Sequence, residues 1–473
     1  MYRIGAALPL CLMLAQAEVY EVGPGKRFAT IAQAPWLSLE PGDQVLIYWR
    51  AEPYHEKWVI GAVGTAAAPI VVRGVPNDNG DIPVIDGIDA ATATYFDYWI
   101  ADRNIVKIGG SSIPRVPVPR YIVVDGLEIR NARAPYTYKP SFGPPFGYNS
   151  NAAGIHIESG ANIVIRNCVL HDNGNGIFVS SSDAAPSRDI VIEGNYIYNN
   201  GYLGDSQYHN VYSEALGITF QFNRFGPIQG TAVGAGEGNN LKDRSAGTVI
   251  RYNWIEGGNR QLDLVESAIP AISQNPSYSE TFVYGNVLVD YAGEDNAQIT
   301  HYGGDGGRSD VFRRGKLYFY NNTVISFRPD VAIMFMLSHP GATLDARNNI
   351  FQTSDPAADM LLVERSGTTE LRNNWWRQNC RLFEASNNLS GVAKDLGGNL
   401  QGVDAGFADP STLDFGLADW SPAVGMASPL ADAAARYPVD MQYQKHRKAA
   451  PRTGMDLGAF AAPPQPPPPP DAP

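Results

Sequence analysis

The residues of this chain that could carry out acid–base chemistry concentrate in two short segments. Leu241-Lys242-Asp243-Arg244 places an ammonium and a guanidinium two positions apart, and Leu262-Asp263-Leu264 supplies a carboxylate between two apolar residues. A lysine serves as a Brønsted base only if a positive neighbour or burial lowers its pKa. Arg244 could lower the pKa of Lys242, whereas Asp263 would oppose this unless it binds a metal or orients the amine. The alternative interpretation is an ordinary ion pair on a solvated surface.

Further polar residues near these segments complete the predicted site. The predicted catalytic residues are Lys242, Arg244, Tyr212 and His209, and the predicted substrate-binding residues are Asp263, Asn240, His301, Tyr302 and Arg260. The seven histidines include no i, i+4 pair, so a zinc site is not predicted. Glu266 and Asp295, together with Asp290 and Glu294, are candidate calcium ligands, but no loop has the ligand spacing of a calcium-binding loop. No cofactor other than calcium is suggested.

An internal repeat provides the means of bringing these residues together. A short β-prone run, an Asn, one variable residue and an apolar residue recur, as in Val249-Ile250-Arg251-Tyr252-Asn253-Trp254-Ile255. Successive copies lie 25 to 36 residues apart and centre on Asn167, Asn195, Asn223, Asn253, Asn286, Asn322, Asn349 and Asn374. Within each run apolar and polar positions alternate, which is typical of a half-buried strand.

This repeat predicts an all-β fold, a right-handed single-stranded parallel β-helix or solenoid. One unit cannot bury its own apolar face, but stacked units bury a continuous core. A propeller blade would need about 40–45 residues, longer than these repeats, and a leucine-rich repeat frame is absent. Asparagine at a bend can hydrogen-bond to backbone groups. We therefore expect at least eight coils, with Asn167, Asn195, Asn223, Asn253 and Asn286 in one internal column.

The repeat also sets the register of the candidate residues. The apolar residues twelve positions before three repeat asparagines, Ile155, Val211 and Leu241, should point inward, so the next residue in each coil points outward. Tyr212, Lys242 and Asp263 should then form one outward column at the spacing of adjacent strands, about 4.8 Å, with Glu214 and Arg244 beside it. The two longest intervals follow Asn253 and Asn286, and we expect their loops to form walls beside this column. The second of these loops contains Asp305 among four glycines.

The two ends of the chain differ from the repeats. Residues 1–17 have the positive start, apolar run and Ala15-Gln16-Ala17 cleavage site of a signal peptide, which predicts a secreted or periplasmic protein beginning at Glu18. Residues 18–461 are the predicted catalytic β-helix domain, with a capping helix within residues 28–39 that would cover the open first coil. Residues 462–473 are a proline-rich tail expected to be extended.

Composition excludes several classes of protein. The net charge of −12, from 48 acidic and 36 basic residues, argues against a nucleic-acid partner. Hydrophobic residues make up 44% of the chain, enough for a core. Three cysteines in 473 residues exclude a disulfide scaffold, and Cys168 and Cys380 should be free thiols. No later apolar stretch is long enough to span a membrane, and we expect a monomer.

Four motifs give the chain its resemblance to a known group of proteins. They are His209-Asn210-Val211-Tyr212, Leu241-Lys242-Asp243-Arg244, Leu262-Asp263-Leu264 and Tyr302-Gly303-Gly304-Asp305-Gly306. The chain resembles secreted right-handed parallel β-helix proteins of the polysaccharide-lyase type over about residues 18–460. The resemblance implies a lysine on an outward strand as Brønsted base with an arginine close by, which are Lys242 and Arg244 in this chain. It implies β-elimination on an acidic, uronic-acid-containing polysaccharide.

Two other function classes remain open from the sequence. A glycoside hydrolase or epimerase on the same scaffold would use Asp263 with Glu214 or Glu266 as acid and base. A non-catalytic carbohydrate-binding protein would need none of these groups. The Asn-Thr-Asp, Asp-Asp and Gly-His-Gly motifs of β-helix polygalacturonases are absent, as is the Arg-x-Pro-x-x-Arg signature of the commonest pectate lyases. A serine-hydrolase nucleophile turn is also absent.

Overall fold

The computed structural model describes residues 17–110, 118–231, 236–386, 389–430 and 432–463. The predicted signal peptide therefore lies outside the described residues except for Ala17, and the proline-rich tail except for residues 462 and 463. Most of the described strands belong to three long parallel sheets, and each coil of the chain contributes a strand to each sheet in turn.

Sheet 1 contains the strands with the strongest apolar alternation. In β13, for example, Ile163 and Ile165 are fully buried inside the coil while Val164 is partly exposed, as a half-buried strand requires. In hydrogen-bonded order its strands are β1 (Val19–Val22), β2 (Gln44–Tyr48), β4 (Ile70–Val75), β8 (Arg120–Asp125), β13 (Ala161–Arg166), β16 (Arg188–Glu193), β19 (Leu216–Gln221), β22 (Ala246–Arg251), β25 (Glu280–Tyr284), β28 (Lys316–Tyr320), β31 (Thr343–Arg347), β34 (Gly367–Arg372) and β37 (Gly391–Asp395).

Sheet 2 carries the candidate site residues on its outer face. Its strands are β11 (Phe146–Gly147), β10 (Thr137–Lys139), β6 (Ala90–Thr92), β3 (Glu56–Ile60), β7 (Asn104–Ile108), β12 (Ala153–Ile157), β15 (Asn175–Val179), β18 (Val211–Ser213), β21 (Leu241–Asp243), β24 (Leu262–Leu264), β27 (Gln298–Tyr302), β30 (Val331–Leu337), β33 (Asp359–Arg365) and β36 (Arg381–Ala385). All of its strand pairs are parallel except that of β10 with β11.

Sheet 3 closes each coil. Its strands are β5 (Val84–Asp86), β9 (Glu128–Arg130), β14 (Val169–His171), β17 (Tyr196–Tyr198), β20 (Arg224–Phe225), β23 (Trp254–Glu256), β26 (Val287–Asp290), β29 (Thr323–Ser326), β32 (Ile350–Thr353), β35 (Trp375–Arg377) and β38 (Leu400–Gly402). The aliphatic and aromatic side chains that face inward from the three sheets form one continuous core. The predicted parallel β-helix is confirmed.

The turn between sheets 1 and 3 contains the predicted asparagine column, with one correction. In the described part of the chain, each side-chain amide donates to the amide oxygen of the next coil at 2.9–3.2 Å, from Asn195 to Asn399. Eight asparagines therefore stack in register. Asn167 is not among them, because Cys168 occupies the position whose backbone N–H meets Asn195. Asn167 takes the preceding left-handed position (φ 52°), where the next coil has Gly194 (φ 63°).

The first coil is not covered by a helix. Residues 28–39 form only a three-residue 3₁₀ turn, Ile31–Gln33, so the predicted capping helix is wrong. Pro35 explains the difference, since it has no amide hydrogen to donate and holds Ala34 in an extended conformation (φ −66°, ψ 149°). The segment nevertheless covers the core, because Trp36 stacks on Trp58 of β3 with ring centroids 5.6 Å apart.

After the last coil, residues 403–430 and 432–463 pack along the outside of the solenoid. This segment contains two antiparallel hairpins, formed by β39 (Phe407–Asp409) with β40 (Asp414–Leu417) and by β41 (Met441–Gln444) with β42 (Lys448–Pro451). Phe415 stacks on Trp254 of sheet 3 at 5.7 Å, and Tyr437 packs on Phe282 of sheet 1 at 4.7 Å.

Helical structure in the described residues is sparse. There is one short α-helix, α1 (Pro270–Ser273), and the 3₁₀ turns are Ile31–Gln33, Ala101–Arg103, Pro276–Ser279, Ser309–Val311, Pro410–Thr412 and Asp432–Arg436. Across the described ranges, no helix has the length and hydropathy of a membrane span. Cys168 and Cys380 are free thiols, as predicted.

Candidate active site

The outer face of sheet 2 presents the predicted column of polar residues. Tyr212 of β18 pairs in register with Lys242 of β21, which in turn pairs with Asp263 of β24. Their neighbours Val211, Leu241 and Leu262 are fully buried inside the coil, so the alternation of the strands sends the three polar side chains outward. The register predicted from the repeat is therefore confirmed.

Lys242 lies between two carboxylates. Its Nζ is 2.9 Å from Asp263 Oδ2 and 2.5 Å from Asp305 Oδ2. Burial works against the ammonium form, but the charges of the two carboxylates outweigh it and raise the pKa of Lys242 above its ordinary value. In this arrangement Lys242 holds its proton at neutral pH. A role as base therefore requires that one of the carboxylates be withdrawn or neutralised.

Asp263 is fully buried and has a full set of partners. It accepts hydrogen bonds from His301 Nδ1 at 2.7 Å and Asn239 Nδ2 at 2.8 Å, and Arg260 lies 3.6 Å away. Burial would raise the pKa of Asp263, but the hydrogen bond from His301 and the charge of Lys242 hold that pKa well below its usual value. Asp263 is thus a fixed anion beneath Lys242, not the substrate contact expected from the sequence.

His301 stands behind Asp263, away from solvent. It is 1% exposed, and its second ring nitrogen accepts from Ser338 Oγ at 2.5 Å. Burial lowers its pKa. His301 therefore positions Asp263 and is not the substrate contact expected from the sequence. Arg260 is partly exposed beside Asp263 and also donates to Gln298 at 3.0 Å, which leaves it at the edge of the groove.

Asp305, on the loop formed by residues 303–315 (the Asp305 loop), is the residue that sequence reasoning did not assign to the site. Its second carboxylate oxygen lies 3.4 Å from Arg244 Nη2, so one carboxylate bridges Lys242 and Arg244. Burial would raise its pKa, but Lys242 lowers it below the ordinary value. Its side chain is 34% exposed, against none for Asp263. Asp305 is therefore the carboxylate of the cluster that can move.

The Asp305 loop is anchored at both its tip and its base. Glu266 accepts hydrogen bonds from the backbone N–H groups of Asp305 and Gly306 at 3.0 and 2.8 Å. A Cβ at Gly306 would lie 2.4 Å from Glu266 Oε1, so a larger residue there would displace the Glu266 carboxylate from the loop. At the base, the fully buried Arg313 pairs with Asp243 inside the coil at 3.1 Å. The backbone of the loop is thus held at its tip and base, whereas the Asp305 side chain is held by Lys242 and Arg244.

The same contacts bear on the calcium ligands that the sequence suggested. Both carboxylate oxygens of Glu266 are occupied by the Asp305 loop, and Oε1 lies 3.8 Å from Arg244. Asp295 is exposed on a different loop. Within the described residues no group of three His, Cys, Asp or Glu side chains is arranged to hold a metal ion. The structure does not bring Glu266 and Asp295 together as ligands.

Tyr212 and His209 line the groove beside Lys242. The Arg244 guanidinium lies 5.7 Å from the centre of the Tyr212 ring, and the His209 ring stacks on that ring at 5.8 Å. Burial raises the pKa of Tyr212, so its hydroxyl keeps its proton, and burial lowers the pKa of His209 to about 3. His209 Nδ1 accepts the Asn239 backbone N–H at 3.0 Å. His209 is therefore neutral with its proton on Nε2.

Two predicted substrate contacts lie inside the coil instead. Asn240 is fully buried and belongs to a second asparagine ladder, in which it accepts from Asn210 and donates to the Glu256 and Gly257 carbonyls. Tyr302 is fully buried because it alternates with His301 along β27. Asn240 and Tyr302 are therefore not the substrate contacts expected from the sequence. The motif-based assignment did not separate the inward from the outward residues of each strand.

Glu214, which precedes β19, supplies a further carboxylate at the groove. It accepts a hydrogen bond from Ser267 Oγ at 2.6 Å. Burial raises its pKa, against the opposing effects of Ser267 and Arg244. Ser267 comes from the loop after Asn253 and Asp305 from the loop after Asn286, so both predicted walls do stand beside the column. The site combines two cations, a protonated phenol and carboxylates whose pKa values are shifted in opposite directions.

Comparison with known proteins agrees with this architecture. The family model described as "Right handed beta helix region" matches residues 147–324, which include Tyr212, Lys242 and Asp263. A solved structure of a pectate lyase, Pel9A, superposes with a TM-score of 0.54 over 95% of this chain and 97% of its own, at 12% identity. The chain is a right-handed parallel β-helix. Among curated proteins, none matches it significantly.

The other similar structures include enzymes of two kinds. One is an alginate lyase from Paenibacillus sp., at TM-score 0.42 and 16% identity over 72% of this chain and 97% of its own. Another is a GH136 lacto-N-biosidase from Eubacterium ramulus, at TM-score 0.37 and 13% identity over 82% of this chain and 68% of its own. These two likenesses concern the fold alone.

Proposed function

We propose that the protein is a polysaccharide lyase that cleaves an acidic, uronic-acid-containing polysaccharide by β-elimination at the Lys242 groove. The observation that carries this proposal is the bridge formed by Asp305 between Lys242 and Arg244. A partly exposed carboxylate held by a lysine and an arginine marks the place where a uronate carboxylate of the substrate can bind. The proposal extends to export of the protein, as its leader sequence predicts.

Substrate binding would convert Lys242 from an acid into a base. The uronate carboxylate pairs with Arg244, whose guanidinium binds carboxylates in a bidentate manner, and the Asp305 side chain rotates away. Lys242 then loses one of the two anions that raise its pKa, and its ammonium group releases a proton to water. Asp263 remains beneath it and orients the amine, but Asp263 is itself shared with His301 and Arg260.

The elimination then proceeds with the groups at hand. Lys242 takes the proton from C5 of the uronate, whose acidity is increased because Arg244 stabilises the negative charge that develops on the adjacent carboxylate. The electron pair forms the C4–C5 double bond, and the bond from C4 to the glycosidic oxygen breaks. The departing oxygen takes a proton from the Tyr212 hydroxyl, which burial keeps protonated. His209 is neutral and supports the Tyr212 ring by stacking.

A second candidate function, glycoside hydrolysis, is favoured by one observation. Hydrolases need one carboxyl group that is protonated and one that is ionised. The raised pKa of Glu214 and the lowered pKa of Asp305 separate two carboxyl groups beside Arg244 in the direction that such a pair requires. This pair differs from the one expected from the sequence, because Asp263 and Glu266 have their oxygens occupied by neighbouring groups.

The two functions are separated by their products. The purified protein is incubated with a panel of uronic-acid polysaccharides and with neutral polysaccharides, and new chain ends are detected both by ultraviolet absorbance and as reducing sugar. A lyase yields unsaturated, absorbing ends, and a hydrolase yields reducing ends without absorbance. Glu214→Gln should leave a lyase largely active but inactivate the hydrolase. Reducing ends without absorbance that are lost in Glu214→Gln would overturn the lyase proposal.

A further inference from the structure

The Lys242 groove continues along the solenoid axis as an aromatic floor. Phe178 of β15 pairs in register with Tyr212, and the two rings stack at 5.0 Å with an interplanar angle of 20°. Both side chains are partly exposed. Above Phe178, the Arg103 guanidinium lies 4.8 Å from the ring centre. The groove therefore has a third cation, placed over the ring that lies two coils from Lys242.

We infer that Arg103 and Phe178 form a second subsite, which binds the carboxylate of another uronate in the same polysaccharide chain. This inference rests on the proposed function and deepens it, because it specifies a substrate with recurring uronates along one chain. Pairing with Arg103 and contact with the partly exposed edges of Phe178 and Tyr212 would hold the polymer parallel to the solenoid axis.

Among the described residues, Arg103 has no carboxylate paired with its guanidinium. In the described parts of the chain it forms no ion pair, and its Nε is buried without a hydrogen-bond acceptor. Asp102 acts on it only at longer range, and Glu158, the next acidic residue on this face, is engaged by Lys107 at 2.9 Å. A partly buried guanidinium without a counter-ion is unfavourable. An anion from outside the protein would remove that penalty.

The spacing indicates which anion this is. Phe178, Tyr212 and Lys242 lie on three consecutive strands, so the Arg103 subsite lies about 10 Å from the reacting uronate, which is two strand spacings of about 4.8 Å. This distance is longer than one sugar ring, so the second carboxylate belongs to a different sugar. A single uronic acid or a short fragment confined to the Lys242 position would not reach it.

The test compares substrates of different chain length. Rates are measured for the unmodified protein, Arg103→Gln, Arg103→Lys and the control Arg188→Gln, on a uronate polymer and on the shortest oligosaccharide that is cleaved. Arg188 is an exposed arginine on sheet 1, away from the groove. For Arg103→Gln we expect KM on the polymer to rise about ten- to a hundredfold, the range for a lost charge-assisted hydrogen bond, with kcat nearly unchanged. On the shortest substrate KM should not change, and Arg103→Lys should retain part of the polymer affinity.

The other possible results distinguish failure of the second subsite from failure of the proposed function. An Arg103→Gln protein that matches Arg188→Gln on the polymer would overturn the second subsite and leave the lyase proposal intact. A loss of kcat that is equal for all chain lengths, with no rescue in Arg103→Lys, would show a structural role and also overturn the subsite. If the unmodified protein neither cleaves nor binds any uronate polymer, both the proposed function and the subsite fail.

Discussion

Asp305 and Lys242 are separated by 63 residues, yet their side chains meet at 2.5 Å. The contact depends on two independent features, the in-register strand that projects Lys242 and the loop whose tip is held by Glu266. Because Asp305 also touches Arg244 at 3.4 Å, its carboxylate neutralises both cations of the groove at once. Together with Asp263, the same carboxylate raises the pKa of Lys242, so displacement of Asp305 would lower that pKa.

Lys242→Ala should abolish turnover. Removing a general base typically lowers the rate about 10²–10⁴-fold, whereas binding of an uncleaved oligosaccharide should change far less, because the base acts mainly in the transition state. Initial rates on the polymer and isothermal titration with a non-cleavable oligosaccharide check both. Lys242→Arg keeps the positive charge but cannot accept a proton at neutral pH, so it should be equally inactive. Near-normal turnover in Lys242→Ala would instead direct attention to the carboxylates Glu214 and Asp305.

Asp305→Asn should move the pH dependence in a defined direction. Asp305 is one of two anions that raise the pKa of Lys242. Removing its charge lowers that pKa, so the free amine is present at lower pH and the rising limb of the pH–rate profile shifts toward acid. KM for the uronate polymer should also fall, because the substrate carboxylate no longer competes with Asp305 for Arg244.

The Asp305→Asn profile is measured against that of Asp310→Asn, an exposed aspartate of the same loop that pairs with Arg308. The control should keep the profile of the unmodified protein. A profile of Asp305→Asn that stays in place, or moves to higher pH, would contradict the role given to Asp305. Complete loss of activity at every pH would identify Asp305 as a catalytic carboxylate and favour the hydrolase.

The column of Tyr212, Lys242 and Asp263 could be predicted from the sequence because two regularities determine it. The period of two within a strand decides which side chains face outward, and the stacking of coils in a solenoid makes equivalent positions neighbours. Both are properties of the repeat and not of particular contacts. Asp305 could not be placed in the same way, since the position of a loop tip depends on tertiary contacts such as those with Glu266 and Arg313.

The same limit explains the other corrections. The sequence around Asn167 matches the repeat, but the match is shifted by one residue. Only the strand register shows that Cys168, and not Asn167, is equivalent to Asn195 of the asparagine ladder. The amphipathic pattern of residues 28–39 suggested a helix, but Pro35 ends it after one turn. Asn240 and Tyr302 were chosen for their side-chain chemistry, while burial inside the coil is decided by the position of each in its strand.

The N-terminus offers a prediction about processing. Cleavage after Ala17 would make Glu18 the first residue, and its nitrogen already donates to Asp43 Oδ1 at 2.8 Å. As a free ammonium it would form a charge-assisted hydrogen bond, which is stronger than the amide version. N-terminal sequencing of the exported protein should therefore begin at Glu18. Retention of Arg3 or Cys11 in the exported protein would contradict this prediction.

The asparagine ladder is the feature on which stability should depend most. Asn253 accepts from the backbone N–H of Asn223 at 3.0 Å and donates to the Phe220 carbonyl at 2.9 Å, and it links to Asn286 of the next coil. Asn253→Ala would leave these buried groups without partners. Each orphaned buried group costs about 1–3 kcal/mol, so the free energy of unfolding should fall by several kcal/mol.

Asn167→Gly provides the matched control for Asn253→Ala. Asn167 lies outside the ladder, in a left-handed conformation that neighbouring coils fill with Gly126 and Gly194. Its replacement removes one hydrogen bond to Asp125 and relieves a backbone conformation that glycine adopts freely. Denaturant unfolding of the two variants should therefore show a large decrease in the midpoint for Asn253→Ala and a small change for Asn167→Gly. Equal midpoints would mean that the ladder contributes no more to the stability of the solenoid than a hydrogen bond at its surface.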